Sequence, residues 1–416
     1  MTTFEATLPG GSEVQVGDHD SVTSHSIPGL TVFGIPQGLI ELGTLAQAAR
    51  TAALPFVGPF MALMPDAHVG KGATIGSVIP TRDVVIPAAV GVDIGCGVYA
   101  ARLDVGAEEV KDRAADLLVA MRSAVPLGSG RAWELGKMPG PVELWASNSP
   151  DAPLALHGTL GAWERQVTQI GTLGGGNHFI ELAATDQGDQ VWLLIHSGSR
   201  GTGARIAEHY MAMAQAQCRQ WFIDLPDKDL AYLPTNSEQG QRHLHDMQWA
   251  VDYAAINRGV MASLVLDKVR EVLGRDLQVL DDLDTPHNYA RKEQIGKHPA
   301  LVIRKGAISA RAGERGIIPG SMGTASYLVT GRGNQKGLQS APHGAGRPRS
   351  RTASRKMIDM AELEATTHHV AMLRTDDIRD EAPGAYKDVE AVMDAARELV
   401  VVDYRLLPLI NVKGGK

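Results

Sequence analysis

The chain has 416 residues, 44% of them hydrophobic and 21% charged, with a formal charge of −7. That length exceeds one minimal core, and the balance is that of an ordinary globular protein, which excludes disordered and fibrous classes. No apolar run reaches transmembrane length, and the acidic opening MTTFEATLPGGSEVQVGDHD lacks the cationic and apolar regions of a secretory signal. Only Cys96 and Cys218 occur, so no disulfide framework is expected, and a cytoplasmic location is the default.

No internal repeat, low-complexity tract or Pro/Ser-rich linker divides the sequence. A single domain over 1–416 is expected, with 1–50 its less certain part. In chain order, DVVIPAAVGV (83–92) is a short, apolar, β-branched run and reads as a strand. In AEEVKDRAADLLVAM (107–121), Val110, Ala114, Leu117, Leu118 and Met121 share one helical face. QVWLLIH (190–196) reads as a strand, and helical periodicity follows over 206–222 and 243–273. ALVIRKGAI (300–308) and ASYLVTG (325–331) read as strands, then 354–373 and 388–399 as helices. Gly-rich turns bound most of the strands. Strands and helices do not alternate regularly, which argues against a Rossmann or TIM-type series and for a large α+β domain.

The charge is unevenly spread. Residues 291–356 hold 14 Lys/Arg against Glu293 and Glu314, a local +12 that leaves −19 for the rest. Such an excess is the footprint of a polyanion site, or else a basic face neutralised by acidic neighbours in the fold. Charge alone does not choose between them.

Polar residues with metal-binding chemistry lie in several Gly-rich stretches. MPDAHVGKGATIGSVIP (64–80) is followed by PAAVGVDIGCG (87–97), in which Asp93 and Cys96 are three apart. A carboxylate and a thiolate there can converge on a cation, although a lone Cys is commonly a small buried hydrophobe. GTLGGGNHFIEL (171–182) and IHSGSRGTG (195–203) place His178 and His196 where a strand meets a glycine turn, and TPHNYARKE (285–293) adds His287. SAPHGAGRPRSR (340–351) adds His343 among glycines and arginines. Any one of these histidines reads as structural. Together with Asp93 and Cys96 they point to a metal site, dinuclear if Cys96 bridges two ions. No P-loop is present; GIIPGSMGTAS (316–326) is the stretch nearest to it in character.

These stretches, with RKGAISARAGERGIIPGSMGTASY, PGAYKDV and the terminal VKGGK, closely resemble the RtcB family of RNA ligases from about residue 60 onward. The first fifty residues and the stretches near 125–165 and 225–245 carry little of the resemblance. It implies the family's own α+β architecture, with mixed β-sheets and surrounding helices around a deep cleft. It also implies GTP- and Mn²⁺-dependent joining of RNA 3′-phosphate or 2′,3′-cyclic phosphate ends to 5′-hydroxyl ends, in tRNA splicing or RNA repair. By the same resemblance His343 is the nucleophile that carries GMP, which then caps the RNA 3′-phosphate before the 5′-hydroxyl displaces it. Asp93, Cys96, His178, His196 and His287 become ligands of two Mn²⁺ ions, with Cys96 bridging. Asn177, Glu181, Ser321, Ser326, Gly344, Gly346, Tyr386 and Lys413 fall at nucleotide-site positions. Arg347 and Arg351 fall where RNA or nucleotide phosphate is held. Because the chain continues to Lys416, either Lys413 or Lys416 is the lysine that reaches the nucleotide. An activating protein of the archease kind is implied for some members, and a monomer with no membrane association is the simplest expectation.

The residue chemistry agrees in outline. A histidine with an ordinary pKa near ~6.5 is largely neutral at physiological pH, and a carboxylate or carbonyl on its other ring nitrogen would orient it. Gly344 and Gly346 leave room beside His343 for in-line attack on phosphorus. Ligand softness alone favours Zn²⁺ for a Cys/His shell, whereas Asp93, phosphate oxygens and the resemblance favour Mn²⁺. A metal-dependent phosphohydrolase or cyclic phosphodiesterase, with His343 a mere ligand or phosphate contact, is the rival reading. A non-catalytic RNA-binding protein ranks third, because it has no need of the Cys/His/Asp cluster.

Overall fold

Two sheets carry the architecture of the computed structural model, which describes residues 4–7, 13–16, 27–148, 153–156, 162–186, 188 and 190–415. The larger sheet has seven antiparallel strands in the order Val279–Pro286, Gly97–Leu103, Val191–Ser197, Phe179–Thr185, Val400–Lys413, Ser326–Gly331 and Arg315–Ile318. Its central strands are buried on both faces, so they read as nearly continuous apolar runs. The two-residue period still sorts them. Ile180, Leu182, Leu193 and Ile195 enter one core, while Phe179, Ala183, Trp192 and Leu194 enter the other. Asp281 on one outer strand pairs with Arg315 on the other at 2.7 Å, so the sheet curls toward closure.

The second sheet orders Asn288–Ile295, His298–Lys305, Ile75–Thr81, Met61–His68 and Leu30–Val32. The last pair is parallel, which ties residues 30–32 into this sheet. One residue, His287, joins strand Val279–Pro286 of the first sheet to strand Asn288–Ile295 of the second. The cavity described below opens at this junction.

The helix Glu238–Leu273 links the cores. The Ser237 side chain caps its first turn by accepting from the Gly240 N–H, and Gly274 ends it in the left-handed conformation at φ 66°. At about 1.5 Å per residue it is roughly 54 Å long. Met247 and Ala250 pack into the core of the five-stranded sheet, and Met261, Val265 and Val269 into that of the seven-stranded sheet. Between them Asn257 and Arg258 are fully buried, facing the junction. No helix among the described residues is long and apolar enough to cross a membrane.

Several sequence expectations are corrected. The run 83–92 is a short strand, Val84–Val85, followed by the helix Pro87–Val90. Pro87 lacks the N–H that a first helical turn leaves unused, and its fixed φ suits that position. The helix expected over 107–121 breaks at Arg113 into Ala107–Asp112 and Ala114–Ala124. That over 354–373 divides into Arg351–Met357 and Met360–Thr367, because Ile358 is extended and the Asp359 side chain caps a new start. The helix expected over 388–399 is only Val389–Ala395.

Candidate active site

Sheet register gathers the site. Pro286 pairs with Gly97, Gly97 with Ser197, Val98 and Phe179 both with His196, and Phe179 with Lys413. These pairs lie at one end of four adjoining strands plus the edge strand, so Cys96, His178, His196, His287 and Lys413 collect there from positions up to 317 residues apart in sequence. The five-stranded sheet contributes Asp66 and Lys305, and the strand Ser340–Pro342, paired with Ala307–Ser309, delivers His343. Between them lies a cavity of about 720 Å³.

Cys96 is the hub of the groups able to hold a metal. Its Sγ lies 3.5 Å from His178 Nε2 and 3.3 Å from His196 Nε2. His178 Nε2 is 3.0 Å from Asp93 Oδ2, and its Nδ1 is 2.9 Å from the Leu173 carbonyl oxygen, which fixes the ring. Two sets of donor atoms, each within 4.8 Å of one another, share the cysteine: Cys96, His196 and His287, and Asp93, Cys96 and His178. One thiolate common to two triads is the arrangement that a bridged pair of ions needs. Burial, aided by neighbouring histidines, lowers His196 and His287 well below the usual histidine range, leaving neutral rings with lone pairs to donate. Burial and Asp93 raise the Cys96 thiol well above its usual value, so a cation must displace its proton. The donor set fits a divalent metal of mixed softness.

The helix Glu238–Leu273 holds this end of the sheet in place. Arg258 donates from Nη1 to the carbonyls of Gly95 and Ser197, at 2.9 and 2.8 Å, and pairs with Asp284 through Nε and Nη2. Asn257 accepts from the Thr172 N–H and donates to the Thr172 and Gly198 carbonyls and to Ser197 Oγ. Gly198 must be glycine, because a Cβ there would stand 2.1 Å from Asp93 Oδ1.

His343 lines the same cavity, and its ring centroid is 4.8 Å from that of His287. Asp66, which is fully buried, places Oδ2 2.6 Å from His343 Nδ1 and accepts the His343 backbone N–H at 3.0 Å. Gly346 has φ 73°, and a Cβ on it would stand 2.0 Å from the Asp66 carbonyl oxygen. The glycine at 346 is therefore required by close packing on Asp66 as well as by the room expected beside His343.

Other sequence-predicted residues separate into layers. Asn177, Ser321, Gly344, Gly346, Tyr386 and Lys413 line the cavity, whereas His178, Glu181 and Ser326 do not. Ser326 Oγ instead accepts the Gly320 N–H, supporting the loop that carries Ser321. Glu181 is buried on the Phe179 face; Oε2 accepts from Asn411 Nδ2 at 2.7 Å, and Oε1 has no donor. Burial raises it to about 8 despite that bond and Lys413. Lys413 Nζ is 3.5 Å from Glu381 Oε2, and Lys416 lies outside the described residues.

Arg347 and Arg351 line the cavity, but carboxylates already engage them. Arg347 Nη2 is 2.7 Å from Glu381 Oε1, and Arg351 reaches Asp380 at 2.7 Å and Glu381 at 3.2 Å. Arg304 and Arg311 share Glu293, and Arg315 takes Asp281. Glu293 is already counted in the +12, so Asp281, Asp380 and Glu381 offset only part of that charge within the fold. Arg349, at the cavity rim, has no carboxylate partner among the described residues; its Nη1 contacts Met357 Sδ at 2.9 Å.

Sequence reading passed over Asp66, Arg200, Asn257, Arg258, Glu381 and Lys305. Asp66 lay inside a motif already singled out, MPDAH, where a carboxylate next to glycine-rich turns was the available signal. Asn257 and Arg258 interrupt the apolar stripe Ala250, Ala254, Met261, Val265, which marks them as buried polar residues. Arg200 holds φ 58° at its helix start and donates to Thr172 Oγ1 at 3.1 Å, a conformation with no sequence signal.

Comparison with known proteins agrees with the motifs. The model of the family described as "tRNA-splicing ligase RtcB" matches residues 47–149 and 154–414. The "RNA-splicing ligase RtcB" of Escherichia coli strain K12 is 39% identical over 407 residues, covering 92% of this chain and 96% of that protein. The "tRNA-splicing ligase RtcB" proteins of Nanoarchaeum equitans and Thermococcus kodakarensis are each 31% identical, covering 89% of this chain and 91% of theirs.

Proposed function

The chain belongs to the RtcB family of tRNA-splicing ligases, and on that premise we propose that it is a GTP- and Mn²⁺-dependent RNA ligase. It joins RNA 3′-phosphate or 2′,3′-cyclic phosphate ends to 5′-hydroxyl ends, in tRNA splicing or RNA repair. The observation that carries the proposal is one cavity in which the Asp66-oriented His343 stands beside two triads sharing Cys96.

Asp93, Cys96, His178, His196 and His287 would hold two Mn²⁺ ions, which supply charge neutralisation at the triphosphate and polarise its α-phosphate. Asp66 holds the proton on His343 Nδ1, so Nε2 carries the lone pair that attacks. In that attack the Nε2–P bond forms, the bond to pyrophosphate breaks, and His343 holds GMP. Positive charge growing on the ring is met by the Asp66 carboxylate. GMP then passes to the RNA 3′-phosphate, giving an RNA 3′-pp-5′-G end, and the 5′-hydroxyl displaces it as the strands join. Lys413 lines the cavity and suits an acceptor on the guanine, while Glu181, buried near it, lies off the cavity wall. Tyr386 stacks under the Arg347 guanidinium, 4.3 Å from the ring centre, as part of the wall around Lys413. An archease-like activator belongs to the same proposal, as does action as a monomer.

The test is joining itself. Incubated with GTP and Mn²⁺, the protein is expected to convert a labelled RNA with a 3′-phosphate and a second RNA with a 5′-hydroxyl into one strand. Loss of the phosphate without joining, with no dependence on GTP, would establish the hydrolase instead.

A further inference from the structure

One imidazole in the cavity has no part in this scheme. His68 closes the strand Met61–His68, two residues beyond Asp66, and its ring lines the cavity that holds His343. Its Nδ1 lies 3.0 Å from the Asp66 carbonyl oxygen. A carbonyl only accepts, so the ring hydrogen sits on Nδ1 and the lone pair on Nε2. Among the described residues Nε2 has no hydrogen-bond partner, and it is not among the fully buried atoms. Asp66 therefore orients two imidazoles at once, His343 with its carboxylate and His68 with its main chain.

Among the described residues, His68 engages the protein through one ring nitrogen. It belongs to neither donor triad. Burial, opposed by the Asp66 carbonyl and reinforced by His343, lowers its pKa to about 4, so the ring is a neutral proton acceptor at physiological pH. Its neighbours Val69 and Lys71 line the same wall, and Val69 is 59% exposed, so this side is open to an incoming strand.

We propose that His68 is the general base that takes the proton of the RNA 5′-hydroxyl in the joining step, an assignment that rests on the ligase reading above. As the 5′-oxygen bonds to the 3′-phosphorus, the phosphorus–oxygen bond to GMP breaks and GMP leaves with that electron pair. The hydroxyl proton passes to His68 Nε2 and from there to solvent.

The experiment uses the full chain with Mn²⁺ and RNA already carrying a 3′-pp-5′-G end, so that only the joining step is read. His68→Ala is expected to join about 10²–10⁴-fold more slowly than wild type, with the rate recovering as imidazole is added to the buffer. His68→Gln fills the space and puts an amide, which accepts no proton, near the place of Nε2, so it is expected to be slow and insensitive to imidazole. A variant joining at the wild-type rate, or an Ala variant that imidazole does not rescue, overturns the assignment. Independently of activity, ¹⁵N NMR of the labelled ring is expected to show hydrogen on Nδ1; hydrogen on Nε2 overturns it. A wild-type protein that joins nothing overturns the ligase reading itself, which is a distinguishable result.

Discussion

Replacing Asp66 by asparagine isolates the electrostatic part of His343 activation. Asp66 Oδ2 lies 2.6 Å from His343 Nδ1 and accepts the His343 backbone N–H at 3.0 Å, while Oδ1 is buried with no partner. The asparagine must therefore put its oxygen at the Oδ2 position, since its NH₂ would confront the backbone N–H there. Geometry at His343 is kept, and the NH₂ goes to the buried Oδ1 position at a cost of about 1–3 kcal/mol of stability. What is lost is the charge on the acceptor. A hydrogen bond to an ionised group is worth about 1.5–3 kcal/mol, and at about 1.4 kcal/mol per decade this is roughly a 10–150-fold slower attack on GTP. The assay is the single-turnover rate of protein labelling by α-³²P-GTP at saturating GTP and Mn²⁺. A folded Asp66→Asn protein labelled at the wild-type rate would refute the claim that the Asp66 charge drives the step.

Three other outcomes follow from the geometry. Because Cys96 belongs to both donor triads, Cys96→Ala should lose both equivalents of bound Mn²⁺ in elemental analysis after dialysis, whereas His178→Ala should lose one; equal losses would contradict a shared ligand. Burial works to raise Glu293, but Arg304 and then Arg291 and Arg311 hold it at about 2, so its contribution is complete above the ordinary glutamate pKa of ~4.3 and disappears as pH falls toward 2. Acid unfolding of Glu293→Gln should accordingly start from a lower stability at neutral pH and show a flatter slope through that window; a parallel curve would refute it. Arg349, a rim cation without a carboxylate partner among the described residues, should when changed to Ala weaken RNA binding at low salt and lower the salt slope by about one unit, and an unchanged slope would place it off the RNA path.

The residues of the two donor triads were legible as a group because each brings uncommon chemistry to a glycine-flanked strand end, and register alone suffices to gather strand ends. His343 was legible for the same reason. The α+β class followed from the irregular order of strands and helices, which the two sheets display. What could not be read was which charges meet. The +12 of residues 291–356 looked like one field, yet Asp281, Asp380 and Glu381, from outside it, engage Arg315, Arg351 and Arg347. Those pairings link different segments, and the composition of 291–356 carries no record of them. Asp66 was missed because orienting an imidazole is a property of a pair, visible only when strand Met61–His68 and the 340–346 loop are brought together. The helix breaks at Arg113 and Ile358 lay inside intact apolar periodicity, where a local cap such as Asp359 overrides the pattern.

The central claim is that His343 Nε2 forms a covalent bond to GMP. Protein incubated with Mn²⁺ and α-³²P-GTP, then denatured, should carry label that is lost in acid and retained in base, located by mass spectrometry on the peptide containing His343 and absent from His343→Ala. Wild-type protein without label, or equal label on the His343→Ala variant, would contradict the account.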